Sequence, residues 1–173
     1  LFEVSWEVCN QMGGIYTVLR SKMPSVSEYF SKNYHAIGPY TEKARAEFEY
    51  ADLPDDEIGQ TIREMWNEGF DVHYGTWLIT GKPNTILFNT SGPAQNTGDF
   101  KYYLWKDSSV DSGNISPLAD QVISFGYATY VFFKKLAEKK SFFDSPVMVQ
   151  FHEWMAGVPL PFIKNEKMKY IKK

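Results

Sequence analysis

The stretch that decides the fold is LFEVSWEVCNQMGGIYTVL, residues 1–19. Its first part is mostly apolar or β-favouring and predicts a strand over Leu1–Val8. Two glycines follow at Gly13 and Gly14, and the apolar residues after them recur at helical spacing. We expect this helix to end at Pro24, because proline disrupts the helical turn before it. A strand, a glycine turn and a helix in this order indicate an α/β protein.

Strand-like and helix-like segments keep alternating along the rest of the chain. Further strands are predicted at residues 34–38, 70–80, 85–89 and 146–151, the last one buried, and further helices at residues 26–32, 58–68, 118–140 and 156–164. Residues 40–57 are polar and predict a surface excursion, and residues 90–117 predict a long irregular connection. This order predicts a mostly parallel sheet, in which ligands bind at the carboxyl ends of the strands.

The composition excludes several classes of partner. A chain of 173 residues suits one domain with a sizeable core, or two very small ones. The net charge is −3, and Lys and Arg cluster only in residues 164–173, which we interpret as a solvated helix end or tail. We therefore expect no nucleic-acid partner. No apolar run approaches the ~20 residues of a membrane span, so no membrane association is expected either.

The compartment is predicted from the cysteine content and from the start of the chain. Cys9 is the one cysteine, and we expect it to be a small buried residue near the end of the first strand. A lone thiol fits a reducing compartment, and no signal peptide opens the chain, so we expect a cytoplasmic protein. Because the first residue is Leu1 rather than methionine, we expect the sequence to begin inside a longer chain.

Two turns carry residues suited to binding. A helix N-terminus offers unpaired N–H groups, and glycine lets an anion approach them. Gly13 and Gly14 therefore fit an anion site, but they fit a plain tight turn as well. The second turn lies in VQFHEWMAGV, residues 149–158, where His152, Glu153 and Trp154 join a strand to a helix.

The second turn also allows more than one interpretation. A zinc-binding pair of histidines would need its second member four residues after His152, where the sequence has Ala156, so we predict no metal site. A purely structural role is open: His152 would orient the turn, Glu153 would cap the helix and Trp154 would belong to the core.

Four blocks in the same order resemble one family, the eukaryotic-type glycogen synthases. LFEVSWEVCNQMGGIYTVLRSK is similar to the family's first strand, glycine turn and helix, and NYHAIGPYTE to its second strand and following loop. FDVHYGTWLITGKPNTILF is similar to its paired strands, and VQFHEWMAGVPL to its histidine–glutamate–tryptophan turn. The resemblance implies a Rossmann-like sheet with helices on both faces, and it identifies residues 1–173 as an N-terminal domain, incomplete and without the C-terminal domain.

The resemblance also implies an activity. Such enzymes are retaining glucosyltransferases that transfer glucose from UDP-glucose to the non-reducing end of an α-1,4-glucan, with no cofactor and no metal. Gly13 and Gly14 match the turn that faces the donor diphosphate. Glu153 matches an acidic position that lines the cleft near the reacting sugar, which implies a catalytic role. His152 and Trp154 match its neighbours in the cleft or in the vicinity of the acceptor.

The sequence lacks two cationic residues that the family has. The family has lysine or arginine two residues before the double glycine, where this chain has Gln11, and an arginine where this chain has Thr76. Glutamine still donates a hydrogen bond but adds no charge, so we expect weaker donor binding through Gln11. Because the donor site of the family closes between two domains, we expect residues 1–173 alone to be inactive.

A second interpretation is a truncated, non-catalytic relative that binds a glucan or a protein. The aromatic group Tyr102, Tyr103 and Trp105 would form its contact surface, since aromatic rings stack on sugars and fill interfaces. We also expect the strand in PVMVQF, residues 146–151, to leave an uncovered sheet edge that favours self-association.

Overall fold

The computed structural model describes residues 1–91, 97–139 and 146–165, which form six strands and seven α-helices. The strands are β1 (Phe2–Val4), β2 (His35–Pro39), β3 (Phe48–Tyr50), β4 (Val72–Trp77), β5 (Asn84–Phe88) and β6 (Val149–Phe151). The helices are α1 (Gly14–Phe30), α2 (Ala44–Glu47), α3 (Glu57–Asn67), α4 (Gly98–Ser108), α5 (Pro117–Ala137), α6 (Glu153–Gly157) and α7 (Leu160–Asn165). In this part of the chain no helix is both long and apolar enough to cross a membrane.

The strands form one mixed sheet in the order β3–β4–β5–β2–β1–β6. Four neighbouring strands, β5, β2, β1 and β6, run parallel to one another, whereas β4 is antiparallel to both β5 and β3. Parallel neighbours need a crossover between them, and α1 supplies the one from β1 to β2. The predicted α/β fold with a mostly parallel sheet is confirmed.

Each face of the sheet is covered by helices, because successive side chains of a strand point to opposite faces. Ile37 and Ile86 belong to the apolar core on one face, together with residues of α3 and α5. Their neighbours Ala36 and Leu87 belong to the core on the other face, with Leu19 of α1. The helices therefore lie on both faces, as the family resemblance implies.

The first helix is longer than predicted, because α1 continues through Pro24 to Phe30. The predicted stop at Pro24 is wrong, and so is the separate helix over residues 26–32; Ser31–Asn33 form a 3-10 turn. Proline removes one helical hydrogen bond, but Pro24 is exposed, so the loss falls on the solvent side. Leu19 and Met23 are fully buried against the sheet and stabilise the helix across that point.

The first strand is shorter than predicted: β1 ends at Val4, and the chain then turns while it stays buried. The turn satisfies its own polar groups, since Ser5 Oγ accepts from the Glu7 N–H at 3.1 Å and Asn10 Nδ2 donates to the Trp6 carbonyl at 2.9 Å. Cys9 lies in this turn with a φ of 53°, fully buried as predicted. Burial raises the pKa of the Cys9 thiol well above its usual range, so the group is an inert core residue.

Two predicted loops contain regular structure. The excursion over residues 40–57 includes α2 and β3, and the connection over residues 90–117 includes α4. Both were missed because their apolar periodicity is weak: α4 buries only Phe100 and Leu104, among polar and exposed aromatic residues. The helix predicted over residues 156–164 is two short helices, α6 and α7, and it starts earlier, at Glu153.

The strand predicted as buried over residues 146–151 is the edge strand β6, with Val149 and Phe151 half-buried and Gln150 exposed. Self-association through this edge stays a prediction. Most of the basic stretch over residues 164–173 lies outside the described residues.

We predict that Pro24→Ala stabilises the protein by about 1 kcal/mol, because alanine restores the missing N–H and is the better helix former. Urea unfolding followed by circular dichroism measures the change. Ser25→Ala, at the next exposed position of α1, alters helix propensity without restoring an N–H and is expected to shift stability by less than about 0.5 kcal/mol. A Pro24→Ala protein less stable than wild type would contradict the continuous helix.

Candidate functional site

The two predicted turns leave the same edge of the sheet. β1 and β6 are parallel neighbours with Val4 opposite Phe151, so the chain passes their carboxyl ends side by side. The His152 N–H donates to the Val4 carbonyl at 3.0 Å, which continues the β1–β6 pairing into the second turn. The structure therefore brings the segment that leads to Gly13 and the segment His152–Trp154 to one edge, as predicted for a ligand site.

The glycine turn contains an internal anion that the sequence analysis did not identify. Glu7 Oε2 accepts hydrogen bonds from the Gly13 N–H at 2.7 Å and from the Tyr16 N–H at 3.0 Å. Glu7 is almost completely buried, and its carboxylate lies at the N-terminus of α1, where a negative charge is stabilised. Part of the predicted anion site is thus occupied by a side chain of the protein itself.

The two glycines have different surroundings. A Cβ atom on Gly13 would lie 3.0 Å from Glu7 Oε1, closer than a comfortable van der Waals contact. A Cβ atom on Gly14 would meet no atom within 4 Å. A side chain at Gly13 would therefore crowd the Glu7 carboxylate, whereas Gly14 has open space beside its backbone.

A cation lies beside the turn, although Gln11 does not supply it. Gln11 is exposed, and Lys43, which precedes α2, donates from Nζ to the Gln11 carbonyl at 2.9 Å. These two residues are 32 positions apart, so no local sequence pattern could have paired them. A positive charge therefore lies next to residue 11, although Gln11 itself carries none.

Thr76 lies away from the glycine turn and from Lys43. In β4, Trp77 packs with its ring 5.7 Å from that of Tyr16 on the face covered by α1, and Tyr74 belongs to the core of the opposite face. Side chains alternate along a strand, so Thr76 points to the same face as Tyr74, away from α1. The structure therefore does not bring residue 76 together with the glycine turn.

The second turn is held by a buried carboxylate in β1. Glu3 is 1% exposed and accepts from Tyr34 Oη at 2.6 Å, from Lys22 Nζ and from His152 Nε2 at 2.6 Å. Burial alone would raise the pKa of Glu3, but the hydrogen bonds from His152, Lys22 and Tyr34 outweigh it and hold the pKa at about 2. Glu3 is therefore ionised, and His152 donates its Nε2 hydrogen to it.

Glu153 and Trp154 follow His152 and are exposed. Glu153 has a φ of 61°, in the left-handed region that residues other than glycine rarely adopt, at a cost of about 1 kcal/mol or more. Trp154 is 60% exposed, so the interpretation that places it in the core is wrong. His152 does orient the turn, through Glu3, and the two residues after it face solvent.

The structure contains one cavity beside the second turn and another at the opposite ends of the strands. An open, mainly apolar groove of about 400 Å³ borders Trp154 and Val158. A cavity of about 510 Å³, lined by His35, Asp56 and Asn84 among others, lies at the amino ends of β2 and β5, away from both turns. Within residues 1–91, 97–139 and 146–165, no group of three or more His, Cys, Asp or Glu side chains could hold a metal ion.

We predict that Glu3 makes folding stability sensitive to acid. Its pKa lies below the ordinary 4.5 in the folded protein, so its contribution is complete above about pH 5 and is lost as the pH falls toward 2. The loss amounts to about 3 kcal/mol. Urea unfolding of wild type at pH 7, 5 and 3 is expected to show about 2 kcal/mol of this loss by pH 3, whereas Glu3→Gln starts from lower stability at pH 7 and declines less.

The control for that experiment is Glu28→Gln, which removes an exposed carboxylate from α1. It is expected to follow the wild-type pH dependence. If Glu3→Gln followed it as well, Glu3 would not be the group responsible.

We predict that alanine has opposite effects at the two glycines. Gly13→Ala displaces the doubly bonded Glu7 carboxylate and is expected to destabilise the fold by about 1 kcal/mol. Gly14→Ala meets open space and is expected to be neutral or stabilising by up to about 1 kcal/mol, because alanine loses less backbone entropy. Thermal unfolding of the two variants tests this, and an equal effect would contradict the different surroundings.

Comparison with known proteins identifies the family. The family model described as glycogen synthase matches residues 3–172. The chain is 35% identical over 169 residues to the liver glycogen [starch] synthase of Homo sapiens, covering 97% of this chain and 24% of that protein. It is 35% identical over 171 residues to glycogen [starch] synthase of Neurospora crassa, with the same coverages.

The yeast relative agrees: glycogen [starch] synthase isoform 1 of Saccharomyces cerevisiae is 31% identical over 180 residues, covering 99% of this chain and 25% of that protein. The chain thus spans about a quarter of the length of the relatives that it matches. With the α/β sheet and the two turns at one edge, these matches show that the chain belongs to the glycogen synthase family.

Proposed function

We propose that this chain contributes one side of the donor site of a glucosyltransferase that transfers glucose from UDP-glucose to the non-reducing end of an α-1,4-glucan, with retention and without a metal or cofactor. The observation that carries the proposal is the open backbone at Gly14, on the same sheet edge as Glu153. Membership of the family, whose named relatives are glycogen [starch] synthases, supports the choice of reaction.

The proposed donor contacts follow from the charges at the turn. Glu7 already takes the Gly13 and Tyr16 N–H groups, so the diphosphate would approach from the side of Gly14. The Glu7 carboxylate would also repel the diphosphate, so a nearby cation is needed to offset this repulsion. Lys43 and the Gln11 side chain would supply the positive charge and a hydrogen bond on that side.

The second turn would face the reacting sugar. In the transfer, the bond from the glucose C1 to the diphosphate breaks, and UDP leaves with the electron pair. A new bond forms from C1 to the acceptor hydroxyl oxygen, and the hydroxyl proton passes to the departing phosphate oxygen. Positive charge develops at C1, so a carboxylate in the cleft stabilises the transition state, the role proposed for Glu153. His152, held by Glu3, would fix the turn, and Trp154 would contact the acceptor.

The proposal extends to the organisation and location of the protein. Residues 1–173 would form one Rossmann-like N-terminal domain, with the other wall of the cleft supplied by a second domain. Without that wall the site is open to water, so we expect these residues alone to give no transfer. The cytoplasm is the proposed location.

A second candidate function, a non-catalytic module that binds a glucan or a protein, is favoured by one observation. Tyr102, Tyr103 and Trp105 are each at least 45% exposed on α4. Exposed aromatic rings stack on sugars or fill an interface with a partner, which is the contact that such a module requires.

Calorimetric titration of the chain with UDP-glucose tests the donor site. We predict that Gln11→Lys tightens binding and that Lys43→Gln weakens it, each by about fivefold, since a charge-assisted bond is worth about 1 kcal/mol more than a neutral one. Arg63→Gln removes an exposed cation from α3, on the opposite face of the sheet, and is expected to leave binding unchanged. Absence of binding by wild type and Gln11→Lys at millimolar UDP-glucose would contradict the proposal.

A further inference from the structure

A cluster of aromatic and polar side chains lies at the carboxyl ends of β2 and β5. Tyr40 follows β2 directly, and Asn89 follows β5. Asp71 and His73 lie at the start of β4, which is antiparallel to β5 and therefore begins at the same edge. Tyr50, the last residue of β3, completes this His73 cluster. The ends of β2, β3, β4 and β5 thus meet at the sheet edge that carries the candidate site.

His73 is the centre of the cluster. Its ring stacks on that of Tyr40, with the centroids 3.7 Å apart and the planes inclined by 25°. Its Nδ1 lies 3.1 Å from Tyr50 Oη, which lies 2.8 Å from Tyr40 Oη. Its Nε2 lies 3.1 Å from Asp71 Oδ1, a charge contact without hydrogen-bond alignment. Asp71 Oδ2 accepts from Asn89 Nδ2 at 2.7 Å. One imidazole therefore joins the ends of several strands.

The directions of the hydrogen bonds follow from the protonation of His73. Burial lowers the pKa of His73, so its ring is neutral at pH 7 and carries one hydrogen. The Asp71 carboxylate favours that hydrogen on Nε2, which leaves Nδ1 to accept from the Tyr50 hydroxyl. Tyr50 Oη then accepts from the Tyr40 hydroxyl. Tyr40 is therefore fixed by a stacked ring on its face and by a directed hydrogen bond at its hydroxyl.

Tyr40 begins the segment 40–43, which leads from β2 to the glycine turn. Thr41 Oγ1 donates to Asn10 Oδ1 at 3.3 Å, which is long for a bond between two oxygen atoms. Lys43 Nζ donates to the Gln11 carbonyl at 2.9 Å in an exposed contact. Neither bond fixes the segment strongly, because an exposed or long hydrogen bond competes with water. The firm attachment of the segment is therefore the packed ring of Tyr40.

We propose that His73 is a positioning residue for the donor site: through Tyr40 and the segment 40–43, it keeps the Lys43 ammonium beside the glycine turn. The identity of the donor rests on the proposed function. Lys43 is exposed, and a lysine side chain loses conformational freedom when it is held in one place. A fixed backbone beneath it lowers the cost of placing the charge, so His73 would act on donor affinity without touching the donor.

Calorimetric titration of the 173-residue chain with UDP-glucose tests the coupling. His73→Leu removes the ring and its acceptor nitrogen but keeps an apolar side chain, and is expected to weaken binding by about threefold. In the Lys43→Gln background the same substitution is expected to have no further effect, because the residue that it positions is gone. His73→Phe keeps the stack on Tyr40 and should retain most of the affinity. The matched control is Thr76→Val, on the opposite face of β4, which is expected to leave binding unchanged.

A second measurement needs no nucleotide. Brief acetylation of the native chain with an N-hydroxysuccinimide ester, followed by peptide mass spectrometry, reports how far each lysine amine is engaged. Lys43 is expected to react about threefold faster in His73→Leu than in wild type, since its bond to the Gln11 carbonyl is then formed less often. Lys82, exposed in the turn between β4 and β5, is the internal reference and is expected to react equally in both proteins.

Three results would overturn the positioning role: equal Lys43 reactivity in wild type and His73→Leu, an affinity for UDP-glucose that Lys43→Gln weakens and His73→Leu does not, or a loss in His73→Leu that persists in the Lys43→Gln background. Faster acetylation of Lys43 in His73→Leu, with no UDP-glucose binding by wild type, would support the attachment of Lys43 through His73. That combination would contradict the proposed donor site alone.

Discussion

The hydrogen bonds to the buried Glu3 carboxylate are the interaction on which the candidate site depends, at the carboxyl ends of β1 and β6. Glu3 lies in the short strand β1, between β2 and the edge strand β6. It accepts hydrogen bonds from α1 through Lys22, from the residue before β2 through Tyr34, and from the turn after β6 through His152. A charge so fully removed from water is tolerated only when its partners compensate for the lost hydration. Replacing any one partner therefore affects elements that are distant in sequence.

The contacts of Glu3 explain how the turn after β1 and the turn after β6 are held next to each other at one edge of the sheet. β1 contributes only Phe2–Val4 to the sheet, and β6 is an edge strand of three residues. The backbone ladder between such short strands is small, and the Glu3–His152 contact adds a charge-assisted bond at its end. Glu153 adopts its left-handed conformation directly after His152, where this contact fixes the chain.

The glycine turn shows how one motif can serve two purposes. A side chain at Gly13 would crowd the Glu7 carboxylate that accepts from the Gly13 N–H, and Gly14 leaves the neighbouring backbone accessible. A plain tight turn and an anion site were both compatible with the pattern. The structure distinguishes the two residues: Gly13 lies against the Glu7 carboxylate, and Gly14 has open space beside its backbone.

Much of the fold was predictable because it depends on local periodicity. The strongly amphipathic or apolar segments, such as α3 and α5, lie within a few residues of their predicted bounds. The failures have physical causes: Pro24 did not end α1 because buried contacts outweigh one exposed hydrogen bond, and α4 was missed because its outward face carries aromatic residues. Family resemblance indicated the two turns, which periodicity alone could only suggest.

The sequence by itself determined the α/β class, the order of most elements, membership of the glycogen synthase family and the positions of the two candidate turns, since these are encoded in contiguous residues. Only the tertiary structure revealed the contacts of Glu3, Glu7 and Lys43. Each of the three acts through a contact with a segment that comes close only when the chain folds, and Lys43 reaches Gln11 across 32 positions. Charges and hydrogen bonds act through space, and for that reason the electrostatics of the site could not be predicted from the sequence.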